Sequence, residues 1–96
     1  MPKVLKQLVH EVVGGEPYDY YPLGAYLVAA PGICGGRPTF KYTRIEVANI
    51  LEMLGNGRTV AELVAGYEGR ISAEAIKEAA KQAARAFTRQ IPRRSA

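Results

Sequence analysis

Basic side chains recur at a fixed interval near the C-terminal end of this 96-residue chain. They are Lys77, Lys81, Arg85 and Arg89, each four residues from the next. In a helix, this spacing places them along one slowly winding stripe. Exposed cations of this kind attract phosphate groups or an acidic protein face. The spacing therefore predicts a surface that binds DNA or an acidic partner.

The net charge is concentrated in the same region. Residues 72–96 hold six basic and two acidic side chains, which account for the whole net charge of +4. The competing interpretation is a solvated helix whose Glu74 and Glu78 compensate the cations. Those two carboxylates also lie where a recognition helix usually meets base edges, so any DNA contact is expected to involve mainly the phosphate backbone.

Residue types that support catalysis or metal binding are scarce. Cys34 is the only cysteine and His10 the only histidine, and two such residues cannot build a tetrahedral zinc site. We find no paired-carboxylate, Ser-His or Cys-His signature, so we expect no enzyme, no catalytic residue, no metal and no cofactor. No apolar run approaches the roughly 18 residues of a membrane span. Without a secretory signal at the start, a cytoplasmic protein is expected.

The N-terminal part contains apolar residues at helical spacing, which predict an amphipathic helix over residues 3–13. Gly14 and Gly15 would end it, and the β-branched valines make a strand the competing prediction. Prolines then interrupt any helix, and the tyrosines predict one or two short strands within residues 16–30. The tyrosines concerned suit a core or interface role better than a stacking platform for nucleic acid: Tyr18, Tyr20, Tyr21 and Tyr26.

A punctuated stretch, residues 31–38, separates two extended segments. Tyr26-Leu27-Val28 precedes it and Thr39 to Ile45 follows it, and together they predict a small β-hairpin. Helical periodicity begins at Glu46 and predicts three helices. Thr59 with Glu62 forms a capping box for the second, and Ser72 is an N-cap for a third helix running from Ala73 to Arg89 or Gln90. Four residues of that third helix are expected to meet the core: Ile76, Ala80, Ala83 and Phe87.

The stretch from Pro31 to Ile45 also has a specific pattern, Pro-Gly-Ile-Cys-Gly-Gly-Arg-Pro followed by Thr-Phe-Lys-Tyr-Thr-Arg-Ile. With the three helices, it resembles the domain-of-unknown-function 433 family over roughly residues 27–88. The family's Gly before Thr-Arg is Tyr42 here, and its frequent His before the first Pro is Ala30. The motif residues expected to serve the fold are Cys34, Gly35, Gly36, Pro38, Thr43 and Arg44. For Arg44, binding to carbonyls or to a carboxylate such as Glu46 is favoured over a phosphate contact.

The resemblance implies an antitoxin of the VapB kind with a homeodomain-like helix-turn-helix fold. It also implies pairing with a PIN-like nuclease toxin, and a homodimer. The complete prediction is a mainly α fold with a small β-hairpin, in which an N-terminal helix and short strands precede a three-helix helix-turn-helix module. The expected divisions are an N-terminal extension (1–25), the hairpin with three helices (26–90) and a basic flexible tail (91–96).

Three functions fit these observations. The favoured one is an antitoxin whose terminal elements cover the nuclease toxin, with duplex DNA as a further ligand of the basic stripe. In it, four residues are expected to bind the partner, the arginines by engaging the acidic metal-binding carboxylates of the nuclease: Phe87, Ile91, Arg93 and Arg94. The alternatives are a DNA-binding regulator or architectural protein without a toxin, and a structural homo-oligomer assembled through the N-terminal helix and tyrosines.

Overall fold

The computed structural model describes residues 7–90, in which a sheet is followed by three helices. The sheet has four strands in the order β1-β2-β3-β4, and every neighbouring pair is antiparallel. The fold is therefore α+β, and the prediction of a mainly α protein with only a small hairpin is wrong. The strands are β1 (Val9–Val13), β2 (Glu16–Pro22), β3 (Leu27–Ala29) and β4 (Thr39–Phe40), and the helices are α1 (Val47–Gly55), α2 (Val60–Gly66) and α3 (Ala73–Arg89).

The N-terminal helix predicted over residues 3–13 is absent from its described part, where β1 pairs with β2 in the register Val9↔Tyr20 to Val13↔Glu16. Gly14 and Gly15 have φ values of 59° and 81°. Two consecutive positive φ values match a two-residue hairpin turn, so the glycines connect two strands instead of ending a helix. The β-branched valines favour the same outcome. Residues 1–6 lie outside the described part.

The hairpin predicted between residues 26–28 and 39–45 corresponds to the pairing of β3 with β4. Its second strand is shorter than expected and stops at Phe40. Tyr42 has a φ of 67°, and the Thr43 N–H donates to the Phe40 carbonyl at 3.0 Å, so the chain turns back on itself there. The hairpin is one half of the four-stranded sheet and not a separate unit.

The three predicted helices are confirmed, and side-chain caps explain where the second and third begin. Thr59 and Glu62 form the reciprocal capping box that starts α2. The Ser72 hydroxyl accepts the Ala75 N–H at 3.1 Å at the start of α3. The segment that joins α2 to α3, residues 67–72, is longer than the ~3–4-residue turn of a typical helix-turn-helix. The helix-turn-helix relationship thus remains a prediction.

Apolar clusters lie on both faces of the sheet. Adjacent strand residues point to opposite faces, so Leu27 joins one cluster and Val28 the other. The larger cluster lies between the sheet and all three helices. Its fully buried members include Phe40, Ile50, Leu63 and Ile76. The smaller one contains Tyr18, Tyr20, Val28 and Ala30.

None of the helices within residues 7–90 combines the length and apolar character needed to cross a membrane. The same residues contain no grouping of three or more His, Cys, Asp or Glu side chains suited to a metal ion.

Candidate binding surface

The predicted basic stripe lies on the solvent side of α3. Lys77, Lys81, Arg85 and Arg89 are all exposed. The two ion pairs found within residues 7–90 involve other side chains, so these four cations have no carboxylate partner in that part of the chain. Their positive charge is therefore available to a ligand.

Glu78, expected to repel phosphate, has a structural role. Its carboxylate accepts the backbone N–H groups of Ala25 and Tyr26, each at 2.8 Å. One turn later, the Gln82 amide donates to the Leu23 carbonyl at 2.9 Å. These three hydrogen bonds attach α3 to the β2–β3 turn. The Glu78 charge is thus spread over two backbone donors, which leaves Glu74 as the exposed carboxylate of this face.

A glycine in the β2–β3 turn lies close beneath the Glu78 carboxylate. A Cβ atom added to Gly24 would lie 2.5 Å from one carboxylate oxygen of Glu78 and 2.7 Å from its carboxyl carbon. We expect Gly24→Ala to displace the carboxylate and weaken both hydrogen bonds, which lowers the free energy of unfolding by about 1–2 kcal/mol. Urea denaturation measures this.

The control for this prediction is Gly66→Ala at the end of α2, because a Cβ there meets nothing within 4 Å. That change should be neutral or slightly stabilising, since alanine favours a helix. In a Glu78→Ala background, Gly24→Ala should cost almost nothing, as expected for two coupled positions. Additive effects of the two changes would show that the close approach is unimportant.

The outer part of α3 extends beyond the body of the protein. Residues 84–90 are all exposed, and Phe87 is 67% exposed. The expectation that Ile76, Ala80, Ala83 and Phe87 all meet the core holds for Ile76 and is wrong for Ala80 and Phe87; Ala83 is half-buried. Ala75 and Ala79 are the other buried residues of α3. The helix continues beyond the core after Ala79.

The motif between β3 and α1 serves the fold through its backbone. Cys34, Gly35 and Gly36 have φ values of 52°, 63° and 83°, and the Cys34 Sγ lies 3.5 Å from the Arg44 carbonyl oxygen. Thr43 closes the following turn, since its hydroxyl donates to the Phe40 carbonyl and accepts the Ile45 N–H.

Arg37 has the structural role that was expected of Arg44. Its guanidinium makes two parallel hydrogen bonds of 3.0 Å to the Glu46 carboxylate, and these lower the pKa of Glu46. The Arg44 side chain is exposed and has no hydrogen bond to residues 7–90. The sequence offers both arginines near Glu46, and only the turn geometry decides between them.

Tyr42 connects the N-terminal hairpin to the rest of the molecule. Its N–H donates to the Tyr18 hydroxyl at 2.7 Å, and its own hydroxyl donates to Glu11 at 2.8 Å. The Tyr20 hydroxyl donates to the other oxygen of Glu11, and these two donors lower the pKa of its carboxyl. The Lys41 Nζ atom lies 5.1 Å from the ring centres of both Tyr20 and Tyr42. The hydrogen bonds hold a bulky residue in a left-handed conformation that usually favours glycine.

The predicted partner-binding residues are described only in part. Phe87 is on the exposed outer part of α3, whereas Ile91, Arg93 and Arg94 lie outside the described residues. The sequence did not single out Glu11 or Arg37, although both form side-chain hydrogen bonds that join separate segments. In the sequence, only the replacement of the family's glycine by Tyr42 indicated that the N-terminal segment packs against this turn.

Comparison with known proteins bears on the family alone. Neither the curated proteins nor the solved structures contain a match. The family described as "Protein of unknown function (DUF433)" matches residues 27–82, which include β3, β4, the motif and most of the helical part. Because this match covers more than half of the chain and confirms the resemblance seen in the motif, the protein belongs to the DUF433 family.

Proposed function

We propose that this protein is the antitoxin of a toxin–antitoxin pair and that the outer part of α3, residues 84–89, binds a PIN-like nuclease. The observation that carries the proposal is the position of Phe87. It follows Ile76 by eleven residues, about three helical turns, so the two side chains lie on the same side of α3. Ile76 is fully buried and Phe87 is 67% exposed. The apolar side of the helix therefore continues past the core that covers it.

Charge favours a nuclease as the protein that covers this surface. Arg85 and Arg89 are exposed on the outer part of α3, and Arg93 and Arg94 follow in the sequence. A nuclease of the PIN kind has acidic carboxylates at its metal site, and a basic segment complements them. Phe87 lies on the opposite side of α3 from Arg85 and Arg89, because residues two apart do not share a helix face. Aromatic residues and arginine are both enriched in protein interfaces.

Co-expression with the product of the adjacent reading frame tests the proposal. We expect a complex that co-purifies and relief of the nuclease's toxicity. Phe87→Ala should weaken the complex by roughly 30-fold, as expected when a central aromatic anchor worth about 2 kcal/mol is truncated. Isothermal titration calorimetry on the purified partners measures the affinity.

Val12→Ala is the matched control, because Val12 is 75% exposed but lies on β1. It should change the affinity by less than about threefold, as a surface change outside the interface does. Absence of a complex with the unaltered protein would refute the proposal. Equal affinity for the unaltered protein and Phe87→Ala would refute the role of α3.

Nucleic-acid binding is a second candidate function, favoured by the exposed basic stripe and by the engagement of Glu78 with backbone donors. Glu74 remains in the first turn of α3, where a recognition helix meets base edges. Contacts to the phosphate backbone are therefore expected to dominate, with weak sequence discrimination and a strong dependence on salt.

A further inference from the structure

Two tyrosines that lie outside the strands expose their side chains. Tyr26 is 41% and Tyr42 is 52% exposed, whereas Tyr18 and Tyr20 are at most 7% exposed. Neither exposed ring belongs to an apolar cluster of the core. Packing in the core therefore does not account for these two aromatic side chains.

The backbones of both tyrosines are held in place. The Tyr26 N–H donates to Glu78, and its carbonyl accepts the Lys41 N–H at 2.8 Å. The Tyr42 N–H donates to the Tyr18 hydroxyl. Rings on fixed backbones lose little conformational freedom when a ligand binds, which favours affinity.

Three neighbouring depressions of the surface share these tyrosines. Tyr26 lines the first and second, and Tyr42 lines the second and third. The first is lined by Tyr26 and by the α3 residues Lys77, Lys81 and Arg85. The second lies between Tyr26 and Tyr42 and includes Lys41 and Arg70. The third shares Tyr42 and Arg70 with the second and adds Arg44. The depressions form one continuous path, which we call the tyrosine path.

Cations outnumber carboxylates along the tyrosine path. The cations are Lys41, Arg44, Arg70, Lys77, Lys81 and Arg85. None of them forms an ion pair with any residue between 7 and 90. The carboxylates are Glu16, Glu74 and Glu78, and Glu78 already accepts two backbone N–H groups. The path therefore has a net positive charge along its whole length.

We propose that the tyrosine path binds a single-stranded nucleic acid, with bases stacked on Tyr26 and Tyr42 and phosphates held by the neighbouring cations. Alternating aromatic rings and cations are the surface that unpaired strands use, because stacking needs a free base face. In a duplex, those faces are covered by neighbouring base pairs. The inference rests on the second candidate function and specifies its ligand, and it does not require a nuclease partner.

Fluorescence anisotropy with labelled oligonucleotides of about 12 nucleotides, within the usual site size of such proteins, tests the inference. The full chain is titrated with single-stranded RNA, single-stranded DNA and duplex DNA at several salt concentrations. We expect either single strand to bind at least about tenfold more tightly than the duplex. Preference for RNA or for DNA then identifies the source of the strand.

Variants locate the contacts. Tyr26→Ala should weaken single-strand binding by about 5- to 150-fold, the usual effect of removing one stacking ring. Tyr42→Ala should do the same in a variant that circular dichroism shows to be folded, because the Tyr42 hydroxyl also donates to Glu11. Tyr26→Phe should bind like the unaltered protein. Replacing Lys81 and Arg85 together by alanine should lower the slope of log affinity against log salt by about 1.4, at about 0.7 per phosphate contact in a single strand.

Tyr21→Ala is the control, since Tyr21 is similarly exposed, at 37%, but lines none of the three depressions. It should bind with unchanged affinity. Duplex binding as tight as single-strand binding, or an equal loss in Tyr21→Ala and Tyr26→Ala, would overturn the inference and leave the second candidate function standing. Absence of binding to any of the three oligonucleotides would remove both.

Discussion

Replacing Ile76 by alanine is expected to lower the free energy of unfolding by about 3 kcal/mol, within the usual range for a fully buried isoleucine. Ile76 is 0% exposed and belongs to the cluster that joins the sheet to the helices. The cavity left behind would be bordered by side chains from several elements, which cannot all move inward. For a domain of this size, the loss is a large fraction of the total stability. Urea denaturation followed by circular dichroism measures it.

Phe87→Ala is the control on the same side of the same helix. Because Phe87 is 67% exposed, the substitution should change the free energy of unfolding by less than about 0.5 kcal/mol. The comparison separates the part of α3 that stabilises the fold from the part that is free to bind a partner. If Phe87→Ala destabilised the isolated chain as much as Ile76→Ala, the outer part of α3 would pack on its own body, and the proposed nuclease contact would lose its basis.

The helices could be predicted because their determinants are local. Thr59 and Glu62 are three residues apart, and Ser72 accepts a hydrogen bond from Ala75. The sheet depends on longer contacts. In residues 9–13 the apolar positions suit a helix as well as a strand. Pairing with the tyrosine-rich β2 makes this segment a strand, since each aligned pair brings together residues from two separate segments. The wrong prediction of an N-terminal helix has this cause.

The candidate surfaces, like the fold, were predictable only where they depend on local spacing. The four cations of α3 follow a local spacing, and their exposure agrees with it. The partners that shape the surface do not follow such a pattern. Glu78 binds backbone groups 52 and 53 residues earlier in the chain. Arg70 reaches the tyrosine path from the segment between α2 and α3. No motif marks either residue, so the structure was needed to place Tyr26 among cations.

The N-terminal hairpin precedes the residues that the family shares, yet it contributes to the core. Tyr20 on β2 is 3% exposed and its ring lies 5.1 Å from that of Tyr18. Its hydroxyl donates to Glu11 on β1, which also accepts the Tyr42 hydroxyl from the family region. Tyr20 thus links the two strands of the hairpin, and through Glu11 it is connected to Tyr42. This arrangement makes the hairpin a part of the folding unit rather than an appendage.

Tyr20→Ala is therefore expected to lower the free energy of unfolding by about 3–4 kcal/mol, as for other buried aromatic residues. Tyr20→Phe should cost much less, because it keeps the ring and removes only the hydroxyl. It should also raise the pKa of Glu11 toward its ordinary value of 4.5, since the Tyr20 hydrogen bond is the largest cause of the lowered pKa. Denaturation and NMR titration of the Glu11 carboxyl measure the two effects.

The sign of the pH dependence follows from the direction of that shift. A carboxyl whose pKa is lower in the folded protein stabilises it above the unfolded pKa, and the contribution is lost as the pH falls through the folded value. Tyr20→Phe should therefore lose less stability than the unaltered protein on acidification below about pH 4.5. If Tyr20→Ala instead left the free energy of unfolding unchanged, the hairpin would be dispensable for the fold. Its tyrosines would then be free to serve as an assembly surface, as the homo-oligomer hypothesis requires.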